Sequence, residues 1–469
     1  MQTRKLILIL ASLFVAHASH AAVNLIAIGS ISGNIADLSS ETAGLLENGV
    51  AGNLLGGIGS GLAYAGGDTF IAVPDRGPNA KAYNSNVDDT ASYIPRFHTI
   101  SMLLTPNAPG SALPYSLNPT LVATTLLSSR QPLVYGSGVG LGVGNGAPAL
   151  NATNHTYYFS GRSDNFDLAR LSTDTNDARL DPESVRISND GEHVYISDEY
   201  GPYVYEFNRQ TGQRMLAFQL PIEFAINYLS PQGALEIANN TMGRVTNKGM
   251  EGLAITPDGK TLIGAMQSPL LQDGGTNGRF TRIITIDIET GAIHQYAYQL
   301  TNIGTTSKPK YPTISDIVAV NDHEFLVDER DGKGLGDDSI AAYKKIYRID
   351  TTGAAEVSGV SGDANLAGKA VAKTLLIDVV ATLNANGITS KDIPAKLEGM
   401  AFGPDVIING ATKHTLYVSN DNDFIGTIVD TGHPGGIDNP NKFFVFAIDS
   451  ADLQTYERQQ IRALHKPVK

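Results

Sequence analysis

The chain contains no cysteine and no tryptophan. Without cysteine, disulfides, thiolate metal sites and cysteine nucleophiles are all excluded. A chain of 469 residues buries enough apolar surface to do without such staples. Without tryptophan, the core rests on Leu, Ile, Val, Phe and Tyr. Basic runs are also missing: 34 Lys and Arg stand against 47 Asp and Glu, for a formal charge of −13. That balance argues against nucleic acid or an anionic membrane as partner. It suits divalent cations bound through carboxylate oxygens.

Long apolar runs are confined to the first residues. Arg4 and Lys5 precede the apolar stretch from Leu6 to Val15. Ala16-His17-Ala18 or Ser19-His20-Ala21 then offers a small-residue cleavage site. This is the pattern of a secretory leader over residues 1–22. The stretch is shorter than the roughly 20 residues a bilayer span needs. The mature protein is therefore expected to be exported, periplasmic or extracellular, with no membrane span, and monomeric.

Two hydrolase signatures are absent as well. No Gly-x-Ser-x-Gly elbow occurs, and no His-Glu-x-x-His zinc helix. Outside the leader and the tail, no histidine has another within four residues. His98, His155 and His433 stand alone, as single acids or bases or as ordinary packing and surface residues.

What is present is a repeat, and repeats decide architecture before length does. Glu183-Ser184-Val185-Arg186-Ile187 leads into Asn189-Asp190-Gly191, and Glu251-Gly252-Leu253-Ala254-Ile255 leads into Pro257-Asp258-Gly259. The same opening recurs at Asp316-Ile317-Val318 and Glu398-Gly399-Met400, with a degenerate copy at Ser60-Gly61-Leu62. Such turns between apolar runs are hairpin signals. Each copy then closes on a later turn, such as Glu289-Thr290-Gly291, which is the grammar of a four-stranded antiparallel blade. Successive repeat acids lie 68, 65 and 82 residues apart, and the 123 residues from Ser60 to Glu183 leave room for a further unit at residues 95–165. The expectation is an all-β, single β-propeller of about six blades over residues 23–455. A two-sheet sandwich array is the rival, disfavoured by the regular period. Residues 364–387, including Val371 to Ile377, predict a helical insertion. The glycine-rich run 136–146 matches no phosphate-binding template and reads as a loop. Residues 456–469 read as a loose tail.

Several strings together are similar to one family. Asp75-Arg76-Gly77-Pro78-Asn79, Ser197-Asp198-Glu199-Tyr200-Gly201-Pro202, Lys248-Gly249-Met250-Glu251-Gly252, Asp328-Glu329-Arg330-Asp331 and Glu398-Gly399-Met400 resemble the phytase-like family, also called esterase-like activity of phytase. The resemblance runs from about residue 55 to residue 450. It implies a propeller, hydrolysis of phosphoric esters and calcium as the metal. The Asp-Asp-Pro-Ala string of the β-propeller phytases proper is absent, so the resemblance implies phosphate esters without specifying phytate.

The repeat also predicts where chemistry collects. If each copy opens an innermost strand, Glu183, Glu251, Asp316 and Glu398 converge around one axis. Converging carboxylates must share protons, pair with cations or hold a metal; each can equally latch a backbone amide of the next blade. Both readings stay open. A second set follows the next strand of each copy: Asp75-Arg76, Asp198-Glu199, Asp328-Glu329-Arg330-Asp331 and Asn420-Asp421-Asn422-Asp423, with Gln267 breaking the pattern in one copy. Asp421 and Asp423 alternate like the start of a calcium loop. Glu183, Glu251, Asp316, Glu398, Asp421 and Asp423 are thus the candidate metal ligands. Asp198, Glu199, Asp328 and Glu329 are candidate catalytic acids. Arg76, Arg162 and Arg330 are candidates for holding an anion, a small phosphate ester, through their planar fork. Each arginine can also tie loops together through a neighbouring acid. Phosphoric-ester hydrolysis is the first functional reading. A metal-stiffened binding module and a carboxylic esterase or lactonase are the alternatives.

Overall fold

A computed structural model describes residues 23–79, 82–88, 90–136, 146–201 and 203–462. The predicted leader and most of the glycine-rich run lie outside them. The repeats become blades, but five rather than six. The first comprises Gly61–Tyr64, Thr69–Val73, Arg96–Pro106 and Tyr115–Leu126. The second comprises Pro182–Ile187, His193–Asp198, Tyr203–Asn208 and Arg214–Gln219, and the third Met250–Ile255, Thr261–Met266, Phe280–Asp287 and Ile293–Gln299. The fourth comprises Thr313–Ala319, Glu324–Arg330, Lys344–Asp350 and Lys373–Asp378. The fifth runs Leu397–Phe402, Ala411–Asn420 and Asn441–Asp449, and its outermost strand is Asn24–Ile31 from the other end of the chain.

The unit nominated at residues 95–165 does not form a blade. Its first part is the long outer hairpin of the first blade, whose strands run 11 and 12 residues. Among the described residues, the rest holds a two-residue ladder pairing Ser128–Ser129 with Tyr157–Tyr158, and a short helix. The helical reading of Val371 to Ile377 also fails. Lys373–Asp378 is the edge strand of the fourth blade, and the helices of the segment flank it, at Asp363–Leu366 and Val379–Ala385. Asp378 sets that boundary by accepting the Ala381 N–H at 3.0 Å as an N-cap.

Each repeat forms its inner hairpin for a local reason. Gly191 and Gly259 sit at φ 77° and 75°, the left-handed region that a side chain disfavours. Asp190 and Asp258 accept the N–H two residues on, at 2.9 and 3.0 Å, closing the turn. Both faces of a blade are buried by its neighbours, so innermost strands such as Met250–Ile255 are buried throughout. The apolar core of the described residues is accordingly split, and its five largest clusters lie one at each blade interface. Val185, Val194 and Tyr205 meet Ile71 and Val73 between first and second blades. Leu326 and Ile346 meet Met400 and Phe444 between fourth and fifth.

The segment expected as a loose tail is ordered as far as Arg462. It crosses the mouth where the innermost strands end. Glu457 N–H bonds Val320 O at 2.8 Å, and Arg462 N–H bonds Asn189 O at 2.9 Å. The Gln459 amide reaches Ile187 O, and Tyr456 packs against Phe402 with ring centroids 4.5 Å apart. Exposed main-chain groups at these strand ends recruit the chain that follows. No helix among the described residues is long and apolar enough to cross a membrane.

Candidate active site at the open mouth

Innermost strands begin, and second strands end, at the mouth opposite the tail. Loops from all five blades therefore surround one cavity of about 430 Å³. Glu183, Glu251 and Glu398 enter it from the starts of three innermost strands. Asp75, Arg76, Glu199, Arg330 and Asp421 enter from the ends or continuations of second strands. Lys248, Lys310, Lys333 and Lys396 add four cations to the wall.

Two groups of three carboxylates stand here, each able to bring one oxygen per residue within 4.8 Å of the others. They are Asp181, Glu183 and Glu199, and Asp75, Asp421 and Asp423. Cations partly balance them. Arg76 Nη1 donates to Asp181 at 2.6 Å, its N–H to the same carboxylate at 3.0 Å, and Nη1 also to Asn247. Arg330 pairs with Glu398 through Nη2 and donates to Ser315 through Nε at 2.6 Å. Lys396 bridges Asp421 at 2.7 Å and Asp423 at 2.5 Å.

The balance is incomplete. Glu251 Oε2 is buried with no partner, and its other oxygen lies 3.8 Å from Arg330. Burial first, then the charges of Glu251, Asp181, Glu199 and Glu398, holds the Glu183 carboxyl well above the usual range. Burial, then Asp181, pushes Glu199 up to about 7. Burial likewise pushes Glu398 up to about 7, although Arg330 and Lys396 pull it down. Buried like charges without matched cations favour protonation or a bound cation.

The family described as "Phytase-like: Esterase-like activity of phytase" matches residues 53–424. The chain belongs to the phytase-like family. A curated relative, an "Uncharacterized secreted protein" of Arthroderma benhamiae, is 36% identical over 136 residues, which cover 26% of each chain. The phytase-like chain thus spans about a quarter of that relative's length. Among solved structures, a putative 6-phosphogluconolactonase from Bacteroides uniformis is 13% identical over 90% of this chain and 98% of its own, at a TM-score of 0.31. Myxococcus xanthus glutaminyl cyclase is 10% identical over 91% and 99%, at 0.30.

In the phytase-like cavity, seven of the residues singled out from sequence meet: Arg76, Glu183, Glu199, Glu251, Arg330, Glu398 and Asp421. Asp423 joins them through Lys396. The other five lie elsewhere. Arg162 forks onto Asp164 beside it, at 2.7 and 2.5 Å. Asp198 is fully buried, accepting the Asp181 and Tyr200 N–H groups at 3.0 Å each. Asp328 is buried away from the cavity, and burial raises it to about 8. Glu329 receives the Tyr298 and Tyr343 hydroxyls at 2.6 and 3.0 Å and the Lys373 ammonium, tying third blade to fourth.

Asp316 is the latch reading made real. It accepts from Ser184 Oγ at 2.9 Å, Leu253 N–H at 3.3 Å, and Ile317 and Met400 N–H at 2.8 Å each, and pairs with Arg186. Arg186 in turn donates to Leu62 O and Ile317 O at 2.7 Å. One ion pair therefore reaches every blade and fills the axis below the cavity. The lone histidines stay outside the site. His98 is buried and neutral, its ring bonding Thr124 at 3.0 Å, with burial lowering it to about 3. His155 ends a surface helix, and His433 pairs with Asp430.

Sequence reasoning missed Asp181, Lys248 and Lys396. A signal existed: each stands two or three residues before a repeat acid, at Glu183, Glu251 and Glu398.

Proposed function

We propose that this chain is an exported hydrolase of phosphoric esters that works with calcium, as a monomer. The observation that carries the reading is the convergence of two three-carboxylate groups with Arg76, Arg330, Lys248 and Lys396 on one cavity. The donor set fits a hard cation. Asp181, Glu183 and Glu199 offer buried carboxylate oxygens and no nitrogen or sulfur, which is calcium's preference. Asp75, Asp421 and Asp423 fit less well, because the Lys396 ammonium already bridges two of them. A bound metal would polarise a phosphoryl oxygen and lower the pKa of a bound water.

The chain's own residues supply the rest. Arg76 and Arg330, already oriented by Asp181 and Glu398, hold the phosphate oxygens. Lys248, whose pKa burial lowers, sits between Gln267 and the acids and adds a short-range charge. Glu199 is anchored by the Gly249 N–H at 2.9 Å through one oxygen. Its other oxygen orients the attacking water and takes its proton as the water oxygen bonds phosphorus. The ester P–O bond breaks, and the alcohol leaves with a proton from solvent. A carboxyl held near neutrality suits that exchange.

Phosphate release from simple monoesters and from phytate, with calcium and then with a chelator, tests this. Calcium-dependent release that Glu199→Gln abolishes in a folded protein is the expected result. No release from any phosphate ester would remove the hydrolase reading and leave a metal-stiffened binding module. Export is supported by the leader pattern of residues 1–22 and by the name of the relative. N-terminal sequencing of the mature protein checks it: a start near Val23 is expected, and an intact Met1 would reject it.

A further inference from the structure

The two arginines of the cavity are not equally free. A guanidinium offers an oxyanion a side-on fork, the parallel N–H bonds of Nε and Nη2. Arg162 gives that fork to Asp164, Arg279 to Asp363 at 2.9 and 2.5 Å, and Arg282 to Asp273 at 2.9 and 2.7 Å. Arg330 divides it between Ser315 and Glu398, leaving Nη1 for a ligand. Arg76 is arranged the other way round. Its Nη1 makes both side-chain bonds, to Asp181 at 2.6 Å and to Asn247, while its main-chain N–H meets the other Asp181 oxygen at 3.0 Å. Nε, which is buried, and Nη2 have no partner among the described residues.

The acceptor that completes this arrangement is Asn247, in the cavity wall. It sits in a tight turn closed by Lys248 N–H on Val245 O at 3.1 Å, just before the innermost strand of the third blade. Its φ is 54°, in the left-handed region that most side chains avoid and asparagine tolerates. A left-handed asparagine in a turn needs no function by itself. This one carries its amide oxygen to a guanidinium 171 residues away, presented by the first blade. Asp181, Asp75 and Glu199 all stand close enough to act on the Arg76 charge. Without a second acceptor on Nη1, the guanidinium can turn its fork onto one of them. Asn247 holds Nη1 and adds no negative charge, so the fork keeps both donors for a ligand.

We infer that Asn247 is a positioning residue: it fixes the Arg76 guanidinium with the Nε–Nη2 edge open, and the phosphate of the ester seats on that edge. The inference rests on the phosphoric-ester reading and deepens it, naming the atoms that take the anion and the neighbour that sets them.

Glycine adopts a φ of this sign without strain, so Asn247→Gly removes the amide and spares the turn. Equilibrium binding of benzylphosphonate, an unhydrolysable mimic of a phosphate monoester, to the full mature chain in calcium reads the effect. Asn247→Gly should weaken binding about tenfold, with calcium affinity and the thermal midpoint unchanged. In an Arg76→Lys background, which has no fork to position, the same change should alter affinity less than about twofold. Native affinity in Asn247→Gly, a tenfold loss that persists in the Arg76→Lys background, or an equal loss of calcium affinity overturns this inference alone. Failure of the native chain to bind benzylphosphonate overturns the phosphoric-ester reading and this inference with it.

Discussion

The floor and the wall of the cavity are made from neighbouring positions of one repeat, and they do opposite things. The ladders align Asp316 with Ser184, Gly252 and Gly399, and Ser315 with Glu183, Glu251 and Glu398, so Asp316 does not occupy the place its sequence spacing suggested. Asp316 on the floor receives hydrogen bonds from three neighbouring blades as well as its own, and a guanidinium besides. Glu183 and Glu251 on the wall, one residue earlier in the repeat, enter the mouth, where Glu183 stands among like charges and Glu251 keeps an oxygen without a partner. A carboxylate saturated with donors holds a fold together. One left unsatisfied costs stability and is available for a ligand. One step along the strand separates a structural acid from a functional one.

The comparison breaks first at Asp316. Asp316→Ala leaves Arg186 buried without its partner and strands amides from three blades. It should cost about 3–5 kcal/mol in denaturant unfolding, the range for removing one member of a buried pair. Should Glu183→Ala cost as much, the two acids carry equal structural weight and the distinction falls. Next in size is the metal. Calcium at about 100 times its dissociation constant should stabilise the native chain by about 2.7 kcal/mol, and a chelator should reverse this. Glu183→Gln should remove that gain while leaving calcium-free stability the same or up to about 1 kcal/mol higher, since a buried like charge is relieved. Thermal unfolding with and without calcium reads both.

Asp328 sharpens the contrast through a slope against pH, because it is buried like the floor acid yet has an oxygen without a partner. Burial raises its carboxyl to about 8, whereas in the unfolded chain it ionises near ~3.9. Between these values the fold keeps a proton that the unfolded chain has released. This residue's contribution to stability therefore falls as pH rises through that window. Asp328→Asn should flatten the slope of stability against pH by on the order of 1 kcal/mol per unit at its steepest. An unchanged slope would show Asp328 to be ionised and solvated.

The architecture was legible because each blade restates one hairpin. Glu183, Glu251, Asp316 and Glu398, with Ser60 as the weak copy, mark the five innermost strands one for one. The blade count went astray where spacing stood in for pattern. Arg96–Pro106 and Tyr115–Leu126 are about twice the usual strand length, and the described residues between 127 and 181 are mostly loops and turns. Residues 371–377 read as helix because an edge strand, half exposed, need not alternate strictly. At the site, strand-end acids were found by analogy between copies. Analogy could not show that Asp198, Asp328 and Glu329 turn inward between strands or blades while Glu199 and Arg330 face the mouth. Neighbours in sequence on a strand point to opposite faces, so a run of acids is divided by the pleat. Asp181, Lys248 and Lys396 escaped because they lie outside the repeated string itself.

The seam of the ring lies in the fifth blade, where Asn24–Ile31 pairs with Asn441–Asp449. These two strands come from opposite ends of the chain. During synthesis the first is made at once and then waits, an open edge, until nearly every other residue has been added. Closure therefore waits for the other three strands of the fifth blade, and it is the contact with the largest loop entropy to overcome.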